Sequence, residues 1–392
     1  MRNPAITVVT STRAEFGLLR PVVAKLCQNG PAPALVATGA HLCARLGGTV
    51  AEIEADPVAA PCLAARLPIF SEEDPGEPVA RTIARTVGVF DAFFAAHRPD
   101  ALVLLGDRFE IFAVAVAAAA RHVPIAHISG GDVTLGAADE YYRHCITHMA
   151  ALHFPSCADS AARLVRMGQA PDTVFCVGGL GDENIRTLPK MSREELCTST
   201  GFDLMQPFAL VTFHPETAPG APDAAAQAAA LCTAMAALPG VFWLITGSNA
   251  DAGGAVCTAA MQAFAAAHPQ RAGFVQSLGL RRYLSAMQFA AAVVGNSSSG
   301  VVETPSFGVP AVNIGRRQAG RAICENVICC EGDAAAIEAA IRKALSSAFA
   351  AKAKTARSPY NGGDTSGKIV RILAEFDFGR PKAFYDAIST ER

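Results

Sequence analysis

The chain alternates short apolar runs with longer segments whose apolar positions recur at helical spacing, the pattern of strand and helix units around parallel sheets. "AITVVT" (5–10), "PALVAT" (33–38), "ALVLLG" (101–106), "PIAHIS" (124–129) and "TVFCVG" (173–178) read as strands of a first domain. A second series follows in "FALVTF" (208–213), "VFWLIT" (241–246), "GFVQS" (273–277), "AAVVGN" (291–296) and "PAVNIG" (310–315). Between the two series, Gly179 to Gln206 is polar, carries a proline and several charges, and is the best linker candidate. The Ala-rich stretches 223–237 and 255–267 read as helices, since Ala costs least in a helix interior. The expected fold class is α/β, with two doubly wound domains facing a cleft.

Length agrees with this division, because 392 residues exceed one ordinary core and suit two domains. A net charge of -2, with 17% charged and 51% hydrophobic residues, gives no basic surface for nucleic acid. The most apolar run, "IFAVAVAAAA" (111–120), is about half the length of a membrane span and reads as a buried helix. The N-terminal "MRNPAITVVTSTRAEFG" has no apolar stretch of signal-peptide length, so a cytoplasmic protein is expected, without membrane or nucleic-acid partners. The twelve cysteines are scattered without a CxxC pair and read as reduced packing thiols.

Ligands of doubly wound sheets sit beyond the carboxyl ends of the strands, so chemistry is sought there. "TSTRAEFG" (10–17) puts Arg13 at a strand-to-helix turn, where a guanidinium can grip phosphate oxygens or simply cap the surface. "GDRFE" (106–110) puts Asp107 and Arg108 at another strand end, as partners of a substrate or of each other. "HISGGDVT" (127–134) ends a strand in two glycines, where backbone turns sharply or approaches something closely. "ADEYYRHCITHM" (138–149) reads as a helix with Asp139 and Arg143 on one face and His144 beside them. In the second domain "TFHPET" (212–217) offers His214, and "GNSSSGVVETPSFGVP" (295–310) offers Asn296, Ser297 and Ser298 ahead of a helix-like segment. Hydroxyls and amides gathered there suit a diphosphate; N-capping alone needs one such residue. Glu303 is placed to reach ribose hydroxyls or to be an exposed helical acid, and "GRRQAGR" (315–321) adds Arg317 to the same side.

Two patterns are set aside. "GGDTSGK" (362–368) has phosphate-loop spacing, but Ile369 replaces the metal-binding hydroxyl and no strand precedes it, so helix capping by Asp364 or Ser366 is the expectation. His144 and His148 lie four apart, yet no third ligand follows at metal-site spacing.

Taken together, "TSTRAEFGLLRP", "LGDRFE", "AHISGGDVTLGAADEYYRHCITHMAALHF", "VTFHPET" and "GNSSSGVVETPSFGVPAVNIGRRQAGR" resemble the hydrolysing UDP-N-acetylglucosamine 2-epimerases of sialic-acid and legionaminic-acid pathways. The five blocks cover most of the chain in order and are specific jointly. The resemblance implies a glycosyltransferase-B-like pair of Rossmann-like domains, 1–180 and 181–364, with C-terminal helices at 365–392 packing back on the first. It also implies a nucleotide-sugar substrate in the cleft, no cofactor, no metal or nicotinamide, and a homo-oligomer, dimer or tetramer. "GDRFE" resembles the hydrolysing branch more than the non-hydrolysing one.

The C2 hydrogen of a 2-acetamido sugar is not adjacent to a carbonyl, so its removal needs help from departure of the diphosphate at C1. Arg13, Arg108, Arg143, Arg317, His214 and the amides of Ser297 and Ser298 are the expected leaving-group stabilisers, with His144, Asn296 and Glu303 contacting substrate. Asp107, Asp132, Asp139 and His41 are the stock for proton movement, Asp107 and Asp139 foremost. Relatives ending this strand in "HIEGG" carry a carboxylate where this chain has Ser129, which cannot replace it as a base. The expected activity is hydrolysing 2-epimerisation of UDP-GlcNAc or a 2,4-diacetamido-6-deoxy relative. The alternatives are a non-hydrolysing epimerase, a glycosyltransferase of the same fold, or a silent nucleotide-sugar binder.

Overall fold

The computed structural model describes residues 4–71, 74, 77–135, 139–216, 220–248 and 253–386. Gly136, Ala138 and Thr217 of the motifs above, and the last six residues of the expected C-terminal stretch, lie outside them. Two compact units form, the first from 1–132, 138–184 and 362–392, the second from 133–137 and 185–361.

The first unit is built on a six-stranded sheet: β1 (Ile6–Thr10), β2 (Ala34–Thr38), β3 (Leu63–Leu67), β4 (Ala101–Leu105), β5 (Ile125–Ile128) and β6 (Leu152–Phe154). All neighbours pair in parallel, in the order β3-β2-β1-β4-β5-β6. Because successive side chains point to opposite faces, each strand buries two sets. Val8, Leu35, Val103 and Phe154 pack on the helices Arg13–Asn29 and Thr365–Glu375, while Val9, Leu102, Leu104 and Ile125 pack on Val79–Ala96, Phe109–Ala120 and Asp139–Met149. The run 111–120 lies inside one of these packed helices, and among the described residues no helix is long and apolar enough to cross a membrane.

The second unit repeats the plan with β7 (Phe208–Thr212), β8 (Phe242–Thr246), β9 (Ala272–Val275), β10 (Ala292–Gly295), β11 (Ala311–Ile314) and β12 (Val327–Cys330). These strands are also parallel, ordered β12-β11-β10-β7-β8-β9. Both sheets thus have doubly wound topology, with the order reversing between β1 and β4 in one and β7 and β10 in the other. The loops after those four strands are the places where each sheet presents ligand-binding backbone.

One expected strand is corrected. "TVFCVG" begins in the 3-10 turn Pro171–Thr173 and joins β6 by a single isolated bridge, His153 to Val174. Val177 N–H donates to the carbonyl of Pro155, but Pro155 has no amide proton to return, so the ladder stops. Strands β3, β6 and β12 were absent from the sequence reading. The linker region holds two helices, Leu180–Thr187 and Arg193–Thr200, the second opened by a reciprocal Ser192 and Glu195 capping box. The phosphate-loop lookalike is a helix start: Asp364 accepts from the Gly367 amide, Glu183 accepts from the amide and hydroxyl of Ser366, and Lys368 turns back onto the Gly362 carbonyl.

Candidate active site

In the first unit, the turn after β1 starts the helix Arg13–Asn29, with Thr12 as its cap accepting from the Glu15 amide at 3.3 Å. Glu15 reaches back to Ser11, taking its amide at 2.7 Å and its hydroxyl at 2.9 Å. Burial pushes the Glu15 carboxyl up to about 7, against the lowering effect of the Ser11 amide and the Arg108 charge. Arg13 stays exposed, 3.7 Å from Glu52. Sequence reading passed over Glu15, although a Thr-x-x-Glu spacing marks it as a capping carboxylate.

After β4, Gly106 takes a left-handed φ of 81° and the chain delivers Asp107 and Arg108 side by side. Arg108 turns its Nε and Nη2 edge to Glu110, with Nη2 donating at 2.9 Å; burial lowers its pKa, but the charge and hydrogen bond of Glu110 with the charges of Glu15 and Asp139 together outweigh it, so its proton is held more tightly. Glu110 itself has no exposed side-chain surface. Asp107 meets Arg143, whose guanidinium is 1% exposed and binds Asp107 through Nε at 2.9 Å and through Nη2. The other guanidinium nitrogen donates to the Asp132 carbonyl at 2.9 Å and to Glu140 at 2.8 Å. Glu140 also faces His144 Nε2 at 2.9 Å. Asp107 and Asp132, distant in sequence from the helix that carries Glu140, Arg143 and His144, therefore join those three around the buried Arg143 guanidinium, and the members other than Arg143 are half-buried. Arg143 acts here as a strut for Asp107; Asp139, at the start of the same helix, contributes its charge to Arg108.

The loop after β5 explains its own glycines. Ser129 holds a φ of 63°, and a side chain on Gly130 would meet His127 Nδ1 at 2.8 Å, while one on Gly131 would meet the Ser160 carbonyl at 2.5 Å. The close approach is to the protein itself. Asp132 uses its carboxylate within the fold, accepting from Ser156 at 3.0 Å and Ser160 at 2.6 Å. His41 is fully buried, with Nε2 3.1 Å from Thr10 and Nδ1 2.8 Å from Thr49; burial lowers its pKa to about 4, so it is neutral. It stands apart from the Asp107 cluster.

In the second unit, Gly295 ends β10 with a φ of 141°, so close to β7 that a Cβ would lie 1.9 Å from the Thr212 carbonyl. The next residue, Asn296, is 1% exposed and closes on the main chain of His214: its Oδ1 accepts from the His214 amide at 2.8 Å and its Nδ2 donates to the His214 carbonyl at 2.7 Å. Its side chain thus positions His214, whose Nδ1 lies 3.2 Å from Ser248. Ser297 and Ser298 lead into two four-residue helices, Ser299–Val302 and Thr304–Phe307, split around Glu303. Burial lifts the Glu303 carboxyl to about 7, opposed by a Ser299 hydrogen bond. The loop after β11 is fastened by Glu216, which accepts from the Arg317 amide at 3.0 Å and also from the Arg316 amide. Gln227 in turn pins Glu216, accepting from its amide at 2.9 Å. His214, Ser297, Ser298 and Arg317 therefore sit on loops braced by Asn296, Glu216 and Gln227. Among the described residues no group of three or more His, Cys, Asp or Glu side chains could hold a metal ion.

Residues 27–374 match the family model for UDP-N-acetylglucosamine 2-epimerase. The chain is 33% identical over 330 residues to the GDP/UDP-N,N'-diacetylbacillosamine 2-epimerase (hydrolyzing) of Campylobacter jejuni, spanning 84% of each protein. It is 31% identical over 370 residues to the UDP-N,N'-diacetylbacillosamine 2-epimerase (hydrolyzing) of Legionella pneumophila, spanning 94% of this chain and 95% of that one. Its fold matches the crystal structure of UDP-GlcNAc 2-epimerase from Neisseria meningitidis bound to UDP-GlcNAc, at a TM-score of 0.79 with 16% identity, over 95% of this chain and all of that one. The matched span takes in the whole second sheet and all of the first but β1, and the chain belongs to the UDP-N-acetylglucosamine 2-epimerase family.

Proposed function

We propose that the chain is a hydrolysing nucleotide-sugar 2-epimerase whose substrate is a UDP- or GDP-linked 2,4-diacetamido-2,4,6-trideoxy sugar. The observation that carries this reading is Asp107 fixed by the buried Arg143 in a chain about one-third identical to two hydrolysing diacetylbacillosamine epimerases.

The reaction divides into two stages. As the C1–O bond to the diphosphate breaks, positive charge at C1 acidifies C2–H, and Asp107 takes that proton to leave a C1=C2 glycal. Asp139 then takes a proton from solvent and delivers it to the opposite face of C2 while water adds its hydroxyl at C1; the water's remaining proton and the one held on Asp107 return to solvent, restoring both carboxylates. The products are the free manno-configured sugar and the nucleoside diphosphate. The candidates for stabilising the leaving diphosphate are Arg108 within the first unit and His214, Arg317 and the amides of Ser297 and Ser298 within the second. Asp132, occupied by Ser156 and Ser160, shapes the loop and moves no proton. Glu303 contacts the ribose, and Arg13 and His144 contribute at the rim. All described cysteines are free thiols, three of them exposed, which fits a reducing cytoplasm.

Incubation with UDP-N,N'-diacetylbacillosamine, its GDP counterpart and UDP-GlcNAc, followed by anion-exchange chromatography, tests the reading. Release of free nucleoside diphosphate, fastest with one diacetamido substrate, is expected. Accumulation of an epimeric nucleotide sugar with no free diphosphate would replace it by a non-hydrolysing epimerase.

A further inference from the structure

The reversal point of the first sheet lies between β1 and β4, and the loops after those two strands bring two buried carboxylates to one guanidinium. Glu110 is the direct partner of Arg108, and Glu15 is the second acid, 8% exposed, within the field of both. With both acids ionised this group carries a formal charge of -1. A diphosphate arriving at the exposed side of Arg108 adds two more negative charges beside two carboxylates that are cut off from water, so like-charge repulsion must be relieved. Glu110 is held in its ion pair with Arg108. Glu15 can take a proton: the Ser11 amide holds one of its oxygens at 2.7 Å and the Ser11 hydroxyl reaches both, and that hydroxyl is a rotor that donates to a carboxylate and equally accepts from a carboxylic acid.

We propose that Glu15 takes up one proton from solvent when the substrate diphosphate settles against Arg108, coupling nucleotide-sugar affinity to pH through this one carboxyl. The coupling rests on the diphosphate contact at Arg108 assigned above. No bond of the substrate changes in the step. The charged and titratable groups around Glu15 are Arg108 and Glu110 from the start of the Phe109–Ala120 helix, Asp139 through its effect on Arg108, and His41, whose amide donates to the Ser11 carbonyl. His41 is neutral at physiological pH and does not compete. The midpoint near 7 places the proton uptake in a working range. A carboxylate serving only as a helix cap would remain ionised, and this difference separates the two roles.

The test is calorimetric titration with the C-glycosidic phosphonate analogue of UDP-GlcNAc, which cannot lose its diphosphate and does not ionise near neutrality. At pH 8, in buffers of different ionisation enthalpy, the native protein should take up roughly half to one proton, with Kd rising by up to about tenfold per pH unit above neutrality. Glu15→Gln should abolish the uptake and hold Kd within about twofold between pH 6 and 9. Ser11→Ala, which removes a donor to the carboxylate, should move the midpoint of the pH dependence upward. Unchanged proton uptake in both variants, with Arg108→Ala still weakening binding, would overturn the proposal alone. Unchanged affinity in Arg108→Ala would overturn the diphosphate contact on which it rests.

Discussion

Asp107 and Arg143 lie 36 positions apart, and their contact decides how the first unit can work. A buried guanidinium beside a carboxylate fixes its orientation, which a proton acceptor at C2 requires. Asp107→Asn should lower turnover by about a thousandfold while nucleotide affinity changes only a few-fold, as read by steady-state kinetics beside calorimetry. Turnover within tenfold of the native protein would remove Asp107 from the chemistry. At this scale the sequence showed which polar residues stand at strand ends, because apolar runs locate those ends. It did not show Glu140, Glu15 or Glu216 as members. Glu216 meets the Arg316 amide across 100 residues of chain, and Glu15 owes its raised pKa to burial, which only the fold creates. Glu216 carries no local spacing signal, whereas Glu15, three after Thr12, and Glu140, three before Arg143 and four before His144, stand at readable spacings. The same limit applies to Asn296, whose side chain looks equally suited to a ligand and is used on the His214 backbone.

Among the elements, the central strands were legible because both their faces are buried and their runs are continuously apolar. The edge strands were not. β3 reads "LAARL" and alternates between exposed and half-buried positions, and β6 is three residues long. "TVFCVG" failed for the complementary reason: its composition suits a strand, but the neighbouring Pro155 cannot continue the ladder. The junction between β10 and its following loop is where local chemistry matters most. Gly295 combines a φ of 141° with a Cβ position 1.9 Å from a main-chain oxygen. Gly295→Ala should therefore destabilise by at least about 2 kcal/mol in urea unfolding and displace Asn296, weakening UDP binding as well. Native stability in this variant would show that the β7 and β10 loops tolerate separation.

For the whole molecule, alternation of runs announced two doubly wound units, while the strand order within each sheet became visible only in three dimensions. Parallel pairing between strands far apart in sequence leaves no mark in hydrophobic periodicity. The inserted segment 133–137, which groups with the second unit, was likewise unreadable. Buried titratable groups then set the pH response. His41 and His127 are fully buried, and burial lowers both to about 4; a depressed histidine gives stability present above its unfolded value of 6.5 and lost as pH falls through 4. Each is worth roughly 3 kcal/mol across that window. Glu15 runs the other way: its raised pKa leaves the fold most stable below 4.5 and less stable as pH rises through 7. The Glu15 trend offsets only part of the loss from the two histidines between about pH 7 and 5, with acid unfolding below. Glu15→Gln should accordingly gain roughly 2 to 3 kcal/mol on the native protein between pH 5 and pH 8 in chemical denaturation. A pH-independent difference would mean that Glu15 remains ionised throughout.

The central claim is elimination of the diphosphate followed by hydration with inversion at C2, and proton NMR of the reaction in D2O addresses it most directly. With UDP-N,N'-diacetylbacillosamine, the account predicts a free manno-configured sugar carrying deuterium at C2, with UDP released in equal amount. A free sugar that keeps protium at C2 or the original configuration would contradict it, because no proton would then have left C2.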